Sequence, residues 1–172
     1  MGSENLVIAR TDSESGKLIS SAIDVRDHEF ILGVADPTIE PLAETLQAME
    51  QSGAKGSEID AFEAQWVKNT KLVTFDEAAV EAFKARGVPQ SDIDAYLAHT
   101  AENRDLSITK RNEYAQRFTD SPIFFSWDLP RTREGYYHYR AGMTAATKRA
   151  IEYAPYADLR SEERRVGKEC ME

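Results

Sequence analysis

The sequence predicts an α/β fold, a βαβ unit whose crossover carries a long and mostly helical excursion. Three observations predict it. The apolar run Leu6-Val7-Ile8-Ala9 stands near the start, in "NLVIARTDSES". Such a β-favouring run suits a strand buried on both faces of a parallel sheet, although periodicity alone also fits a buried helix. A series of end-capped amphipathic helices then fills residues 39 to 118, and a further helix, "GMTAATKRAIEYAP", leads into a second apolar run at "YADL". Parallel strands require a connection of this kind, because a tight turn cannot join them.

Residues 1–33 hold the first strand, read as Asn5 to Ala9, and its exit. "SESGKLISSAIDVRDHEFILG" predicts a short helix around Ser13 to Ile19, then a polar connection closing at Gly33.

Residues 34–120 change character, with 16 Asp/Glu against nine Lys/Arg. Their helices are marked by their ends. "TFDEAAVEAFKARG" offers Thr74 as N-cap, Glu77 to complete a capping box, Gly87 as the stop, and Phe75, Ala79 and Phe83 on one face. "SDIDAYLAHTAEN" starts at Ser91 and groups Ile93, Tyr96 and Leu97. "IEPLAETLQAMEQSG" stacks Leu42, Leu46 and Met49 before Gly53, and "SEIDAFEAQWVKN" aligns Ile59, Phe62 and Trp66. Another helix is predicted through Tyr114 and Phe118. These faces are complementary enough for Leu42, Leu46, Phe62, Trp66, Phe75 and Phe83 to bury one another.

Residues 121–159 begin with an irregular, aromatic-rich approach, "SPIFFSWDLPRTREGYYHYRAG". The helix that follows turns Met143, Ala146, Ala150 and Ile151 to one side and ends at Pro155. The next apolar run breaks off at Leu159. "RSEERRVGKEC" has no apolar periodicity and resembles the conceptual translation of a DNA-sequencing adapter, so residues 160–172 read as a non-native tail.

Composition excludes several function classes. A net charge of -9 and a pI near 4.9 disfavour nucleic acid and anionic membranes as partners. The single Cys170 forms no internal disulfide, no Cys/His spacing suits zinc, and no signal or membrane-spanning run is present, so a reducing, cytoplasmic setting is expected. His28, His99 and His138 lie far apart in sequence without metal-ligand spacing, and read as surface or packing residues. "RTREGYYHYR" interleaves arginine with aromatics as a nucleic-acid platform does, but in an acidic chain it reads as a packed loop with stacked guanidinium groups.

Arg10 stands apart. A five-donor planar fork directly after an apolar strand is suited to gripping a substrate carboxylate through two parallel hydrogen bonds, with Asp12 to orient it or to bond a nearby backbone donor. A rim ion pair between Arg10 and Asp12 fits the same spacing equally well, and both readings stand.

"VIARTDSESGKLISS", "IDVRDHEFILG", "WDLPRTREGYYHY" and "AIEYAPYADL" resemble consecutive pieces of isocitrate lyase, in the longer form whose barrel is interrupted by a helical segment. The likeness runs from Asn5 to Leu159. It implies a partial (β/α)8 TIM-barrel segment of one strand, a helix and the start of the next strand, interrupted by a helical insertion and belonging to a cytoplasmic homotetramer. It also implies the retro-aldol cleavage of isocitrate to glyoxylate and succinate in the glyoxylate bypass, with Arg10 on the glyoxylate end of the substrate. The family's K-K-C-G-H cysteine motif, its Mg2+-binding aspartates and its downstream asparagine and serine motif do not appear in this sequence. The resemblance therefore implies an internal fragment with no catalytic residue or metal ligand of its own, inactive alone, its strand edges open. Two other readings remain: 2-methylisocitrate lyase or a related superfamily lyase, and a non-catalytic acidic helical interaction module. A parallel partner for "NLVIARTD" would argue against the last.

Overall fold

The computed structural model describes residues 5–162, which divide into two compact units: residues 18–138, and the segments on either side, up to residue 17 and from residue 139.

In the discontinuous unit, strand β1 (Ile8–Thr11) pairs in parallel with β4 (Leu159–Glu162). Ile8 stands opposite Leu159, and Arg10 opposite Ser161. Helix α6 (Met143–Tyr153) precedes β4 in the chain and packs on β1, so a strand, a helix and a parallel strand are all present. One side of the register is locked beyond the strands, where the Asp158 and Leu159 amides donate to the Val7 carbonyl (2.9 and 3.2 Å) and the Val7 amide donates to Asp158 Oδ2 (2.9 Å).

Four expectations are corrected here. The strand starts three residues later than Asn5 and ends two later than Ala9, so Arg10 is inside it. It is not buried on both faces: Leu6 is 69% exposed and Ile8 58%, and among the described helices it is α6 that packs on it. The strand's partner includes Arg160, Ser161 and Glu162, residues set aside on their side-chain pattern. Main-chain pairing needs only the amide and carbonyl that every non-proline residue carries. Finally, α6 buries Ala145 and Ala146 while Met143 and Ile151 are exposed, since the short strand offers a small surface to it. Residues 163–172, with Cys170 and the rest of the tail, lie outside the described residues.

The helix expected at Ser13 to Ile19 is also replaced. A tight turn follows β1, in which the Asp12 carbonyl accepts the Ser15 and Gly16 amides (3.1 and 2.7 Å). Gly16 is required by close approach: a Cβ there would stand 2.9 Å from the Asp12 carbonyl oxygen.

The continuous unit opens and closes on a two-residue ladder, β2 (Leu18–Ile19) antiparallel to β3 (Tyr137–His138). Between them stand α1 (Leu42–Gln51), α2 (Gly56–Asn69), α3 (Phe75–Ala85), α4 (Gln90–Glu102) and α5 (Ile108–Ala115). The residue 34–120 excursion thus shares one compact unit with residues 18–33 and 121–138. Bridges tie these segments together, from Gly33 to Val73 and from Val34 to Ser126.

Local chemistry sets the helix ends. The Thr74 hydroxyl accepts the Glu77 amide and the Glu77 carboxylate accepts the Thr74 amide (2.9 Å), forming the expected capping box. Gly53 and Gly87 take positive φ values of 85° and 73° just past α1 and α3, a conformation that costs glycine least. Helix α4 starts one residue before Ser91, with Pro89 at its N-cap position, and its Leu97 is exposed. Phe118 lies past α5 but packs into the core.

The apolar faces close into two cores. Leu42, Leu46 and Ile59 form one between α1 and α2, flanked by Phe62 and Trp66. Phe75, Ala79, Phe83, Ile93, Tyr96, Ala115 and Ile123 form the other. An ionic centre flanks the second core. Arg111, 1% exposed, donates to Asp76 Oδ2 (2.5 Å) and to the carbonyls of Arg104 (2.9 Å) and Leu106 (3.2 Å), while the Tyr96 hydroxyl donates to Asp76 Oδ1 (2.7 Å). Burial, reinforced by the Asp76 charge, pushes the Tyr96 phenol well above its ordinary pKa, which keeps it a donor.

Candidate functional site

Strand alternation sorts the end of β1 into two faces. Ala9 and Thr11 point toward α6, lining with Ala150 and Tyr153 an open cavity of about 570 Å3 that continues along residues 157–161. Ile8 and Arg10 occupy the other face of the strand. Arg10 Nε donates to Asp12 Oδ1 at 3.2 Å, with both side chains more than half exposed. The geometry therefore contains the ion pair. An exposed pair of this kind contributes little to stability.

The backbone beneath Arg10 is held firmly. Thr11 and Ser13, both buried, share a hydroxyl–hydroxyl hydrogen bond of 2.7 Å, and the Ser13 amide approaches Thr11 Oγ1 at 3.3 Å. The Ser13 carbonyl accepts the Gly142 amide at the head of α6 (2.9 Å), and the Lys17 carbonyl accepts the Tyr139 amide (2.7 Å). Sequence reading passed over Thr11 and Ser13. Their signal was a period-two alternation, charged Arg10 and Asp12 outward against hydroxyl-bearing Thr11 and Ser13 inward.

The histidines are not brought together. His28 Nδ1 accepts the Ile108 amide (3.0 Å), its Nε2 faces the Ala22 carbonyl (2.8 Å), and its ring meets Trp127 edge-on. His99 stacks on Tyr114 with ring centroids 3.8 Å apart. His138 has its Nε2 buried without a hydrogen-bond partner, and burial lowers its pKa from the ordinary value of 6.5. In "RTREGYYHYR", the Arg131 guanidinium lies 4.6 Å over the Tyr137 ring and donates twice to the Gly135 carbonyl (3.0 and 2.7 Å), as a stacked, packed loop does.

Two further facts bear on chemistry. Among the described residues no three His, Cys, Asp or Glu side chains converge to hold a metal ion. The described residues thus offer no ligand set for the Mg2+ that the resemblance implies. No helix among them is long and apolar enough to cross a membrane.

A family model described as "Isocitrate lyase family" matches residues 1–168. The chain belongs to the isocitrate lyase family. Among curated relatives, "2-methylisocitrate lyase, mitochondrial" of Hypocrea atroviridis is 70% identical over 159 residues, covering 92% of this chain and 28% of that protein. "Isocitrate lyase" of Saccharomyces cerevisiae is 40% identical over 161 residues, 92% of this chain and 29% of that protein. A mitochondrial 2-methylisocitrate lyase of the same yeast is 40% identical over 167 residues, 92% of this chain and 28% of that protein. The chain spans less than a third of the length of these lyases. Membership, with the parallel partner of β1, leaves the free-standing interaction module without support.

Proposed function

We propose that the chain is a segment of a carbon–carbon lyase that cleaves a 2-hydroxytricarboxylate of the isocitrate type, and that Arg10 holds the carboxylate of the 2-oxo acid end. The observation that carries this reading is Arg10 itself, a guanidinium on the uncovered face of β1 at its C-terminal end, steadied by Asp12 at 3.2 Å. The C-terminal ends of parallel strands are where α/β enzymes gather their working groups.

The chemistry asks for one fixed positive charge there. As the hydroxyl proton is taken by a base, the carbon–carbon bond breaks, its electron pair goes to the departing succinate carbon, and an acid protonates that carbon. The carboxylate beside the new carbonyl stays in place throughout. A bidentate arginine holds it without reorganisation and aligns the breaking bond. The base, the acid and the metal ligands we assign to other parts of the whole protein, and the 172-residue chain alone we expect to release no product.

Between the two substrates, 70% identity to a protein named 2-methylisocitrate lyase favours 2-methylisocitrate, cleaved to pyruvate and succinate. Isocitrate, cleaved to glyoxylate and succinate, is the second reading, favoured by the 40% identity to a yeast isocitrate lyase. The test is a graft of residues 5–159 into the matching stretch of the Hypocrea enzyme. Turnover should persist, and Arg10→Lys should lower kcat/KM by roughly ten- to a hundredfold through loss of the fork. Unchanged kinetics in Arg10→Lys would reduce Arg10 to a rim ion pair.

A further inference from the structure

We propose that Thr11 and Ser13 are positioning residues for Arg10, a buried hydroxyl clamp that fixes the direction in which the guanidinium leaves the strand. The inference rests on the carboxylate role assigned to Arg10 and extends it to residues that would not touch the substrate.

The argument begins from alternation. Residues 10 and 12 carry exposed, opposite charges, and residues 11 and 13 carry small buried hydroxyls, so every second side chain of "RTDS" faces inward. Neither inward hydroxyl is needed to fill space, since an alanine or valine occupies a similar volume. Each is satisfied by the other across 2.7 Å. That bond closes a loop over Asp12 and constrains the chain on both sides of it.

The clamp is then tied to two elements. Thr11 is the last residue of β1 and is in register with Glu162 of β4. Ser13 receives the Gly142 amide on its carbonyl at 2.9 Å, one residue before α6 begins. Arg10 and Asp12 thus stand on a short arch with one foot in the sheet and the other at the head of the helix. The Asp12 carbonyl closes the arch by accepting the Ser15 and Gly16 amides. Removing the hydroxyl bond leaves those main-chain ties in place and loosens the span between them, which carries the Asp12 carboxylate that accepts from Arg10 Nε.

A planar fork is sensitive to such freedom. Bidentate recognition needs both N–H directions aligned with the carboxylate, and supporting groups must hold that geometry to within about 0.5 Å. The clamp should therefore appear as carboxylate affinity, because the carboxylate is held equally before and during bond cleavage.

The experiment uses the grafted full-length enzyme described above, with pyruvate and glyoxylate as competitive probes. Thr11→Val keeps the shape and removes the hydroxyl. It should raise KM and the inhibition constant of the 2-oxo acid roughly tenfold, with kcat changed far less. Thr11→Ser should restore both to within about twofold of the parent. Ser13→Ala removes the hydroxyl–hydroxyl bond from its other end while keeping the contact of the Ser13 amide with Thr11 Oγ1, so it should act in the same direction, and the double variant should be no worse than Thr11→Val, which already lacks both contacts. A merely structural role would shift the melting temperature and leave the inhibition constant alone. Unchanged probe affinity in Thr11→Val and Ser13→Ala, with Arg10→Lys impaired, overturns the clamp and leaves the carboxylate reading standing. Unchanged affinity in all three overturns that reading and the clamp with it.

Discussion

The helical cores of the continuous unit and the parallel pair of the discontinuous one differ in how they bury large apolar residues, although Ile23 of the continuous unit is exposed as well. Within residues 18–138, Leu42, Leu46, Phe83 and Tyr96 are fully buried. In the other unit Leu6, Val7, Ile8 and Leu159 lie exposed on or beside the parallel pair, as do Met143 and Ile151 on α6. The difference follows from the kind of element each unit uses. A capped amphipathic helix carries its turn chemistry and its apolar stripe within a dozen residues, and needs only another such helix to bury the stripe. A strand of a parallel pair satisfies its backbone only across long sequence separations and its side chains only under covering layers. One unit has what it needs within its own span; the other presents its surfaces.

The comparison can be broken most forcefully at the ionic centre. Asp76→Ala leaves Arg111 buried without its carboxylate and the Tyr96 hydroxyl without its acceptor, and should destabilise the continuous unit by about 3–5 kcal/mol in urea titration. A loss under about 1 kcal/mol would mean that the pair is hydrated and contributes little. The apolar residues allow a direct contrast. Leu46→Ala should cost about 2–5 kcal/mol, whereas Ile8→Ala, exposed, should stay within about 0.5 kcal/mol. Equal costs at the two positions would contradict the contrast between the units.

A smaller effect tests the capping argument. Thr74→Ala removes the acceptor for the Glu77 amide and should cost about 1 kcal/mol, while Thr74→Ser should recover most of it. The smallest effect concerns acid. Burial lowers the His138 pKa below 6.5, so the folded chain binds this proton less readily than the unfolded one. Its contribution is therefore fully present above that value and is lost as pH falls below it towards the lowered folded value. Compared with His138→Gln, the parent should lose more stability between roughly pH 7 and pH 5. Parallel pH profiles would remove His138 from the account.

How much was legible in the sequence follows the same division. Thr74, Glu77, Gly53 and Gly87 announced helix ends because capping acts over three or four residues, and the structure has them in those roles. The apolar stripes of α1 to α3 were equally local. Their separation into two cores was not, because several complementary pairings satisfy the same stripes. Around Arg10 the limits were sharper. The start of the strand was displaced by three residues because exposed Leu6 and Val7 look like core in sequence. The Ser13 to Ile19 helix failed because polar "SESG" also suits a turn, and Gly16 decided for the turn by its close approach to Asp12. The partner strand's last three residues had no apolar pattern to reveal them. Arg10 itself was visible, being a residue type that strand propensity does not explain. The hydroxyls beneath it were marked only by the alternation in "RTDS", which is too short to tell a buried pair bonded at 2.7 Å from exposed polar residues.

Hydrogen exchange on the intact chain, followed residue by residue, tests most directly the claim that one unit is self-contained and the other is not. The amides of Phe83 and Tyr96 should exchange only with global opening of their unit, at least about a hundredfold more slowly than the amides of Ala9 to Thr11 in the two-stranded parallel pair. Protection in β1 equal to that in α3 and α4 would contradict the account.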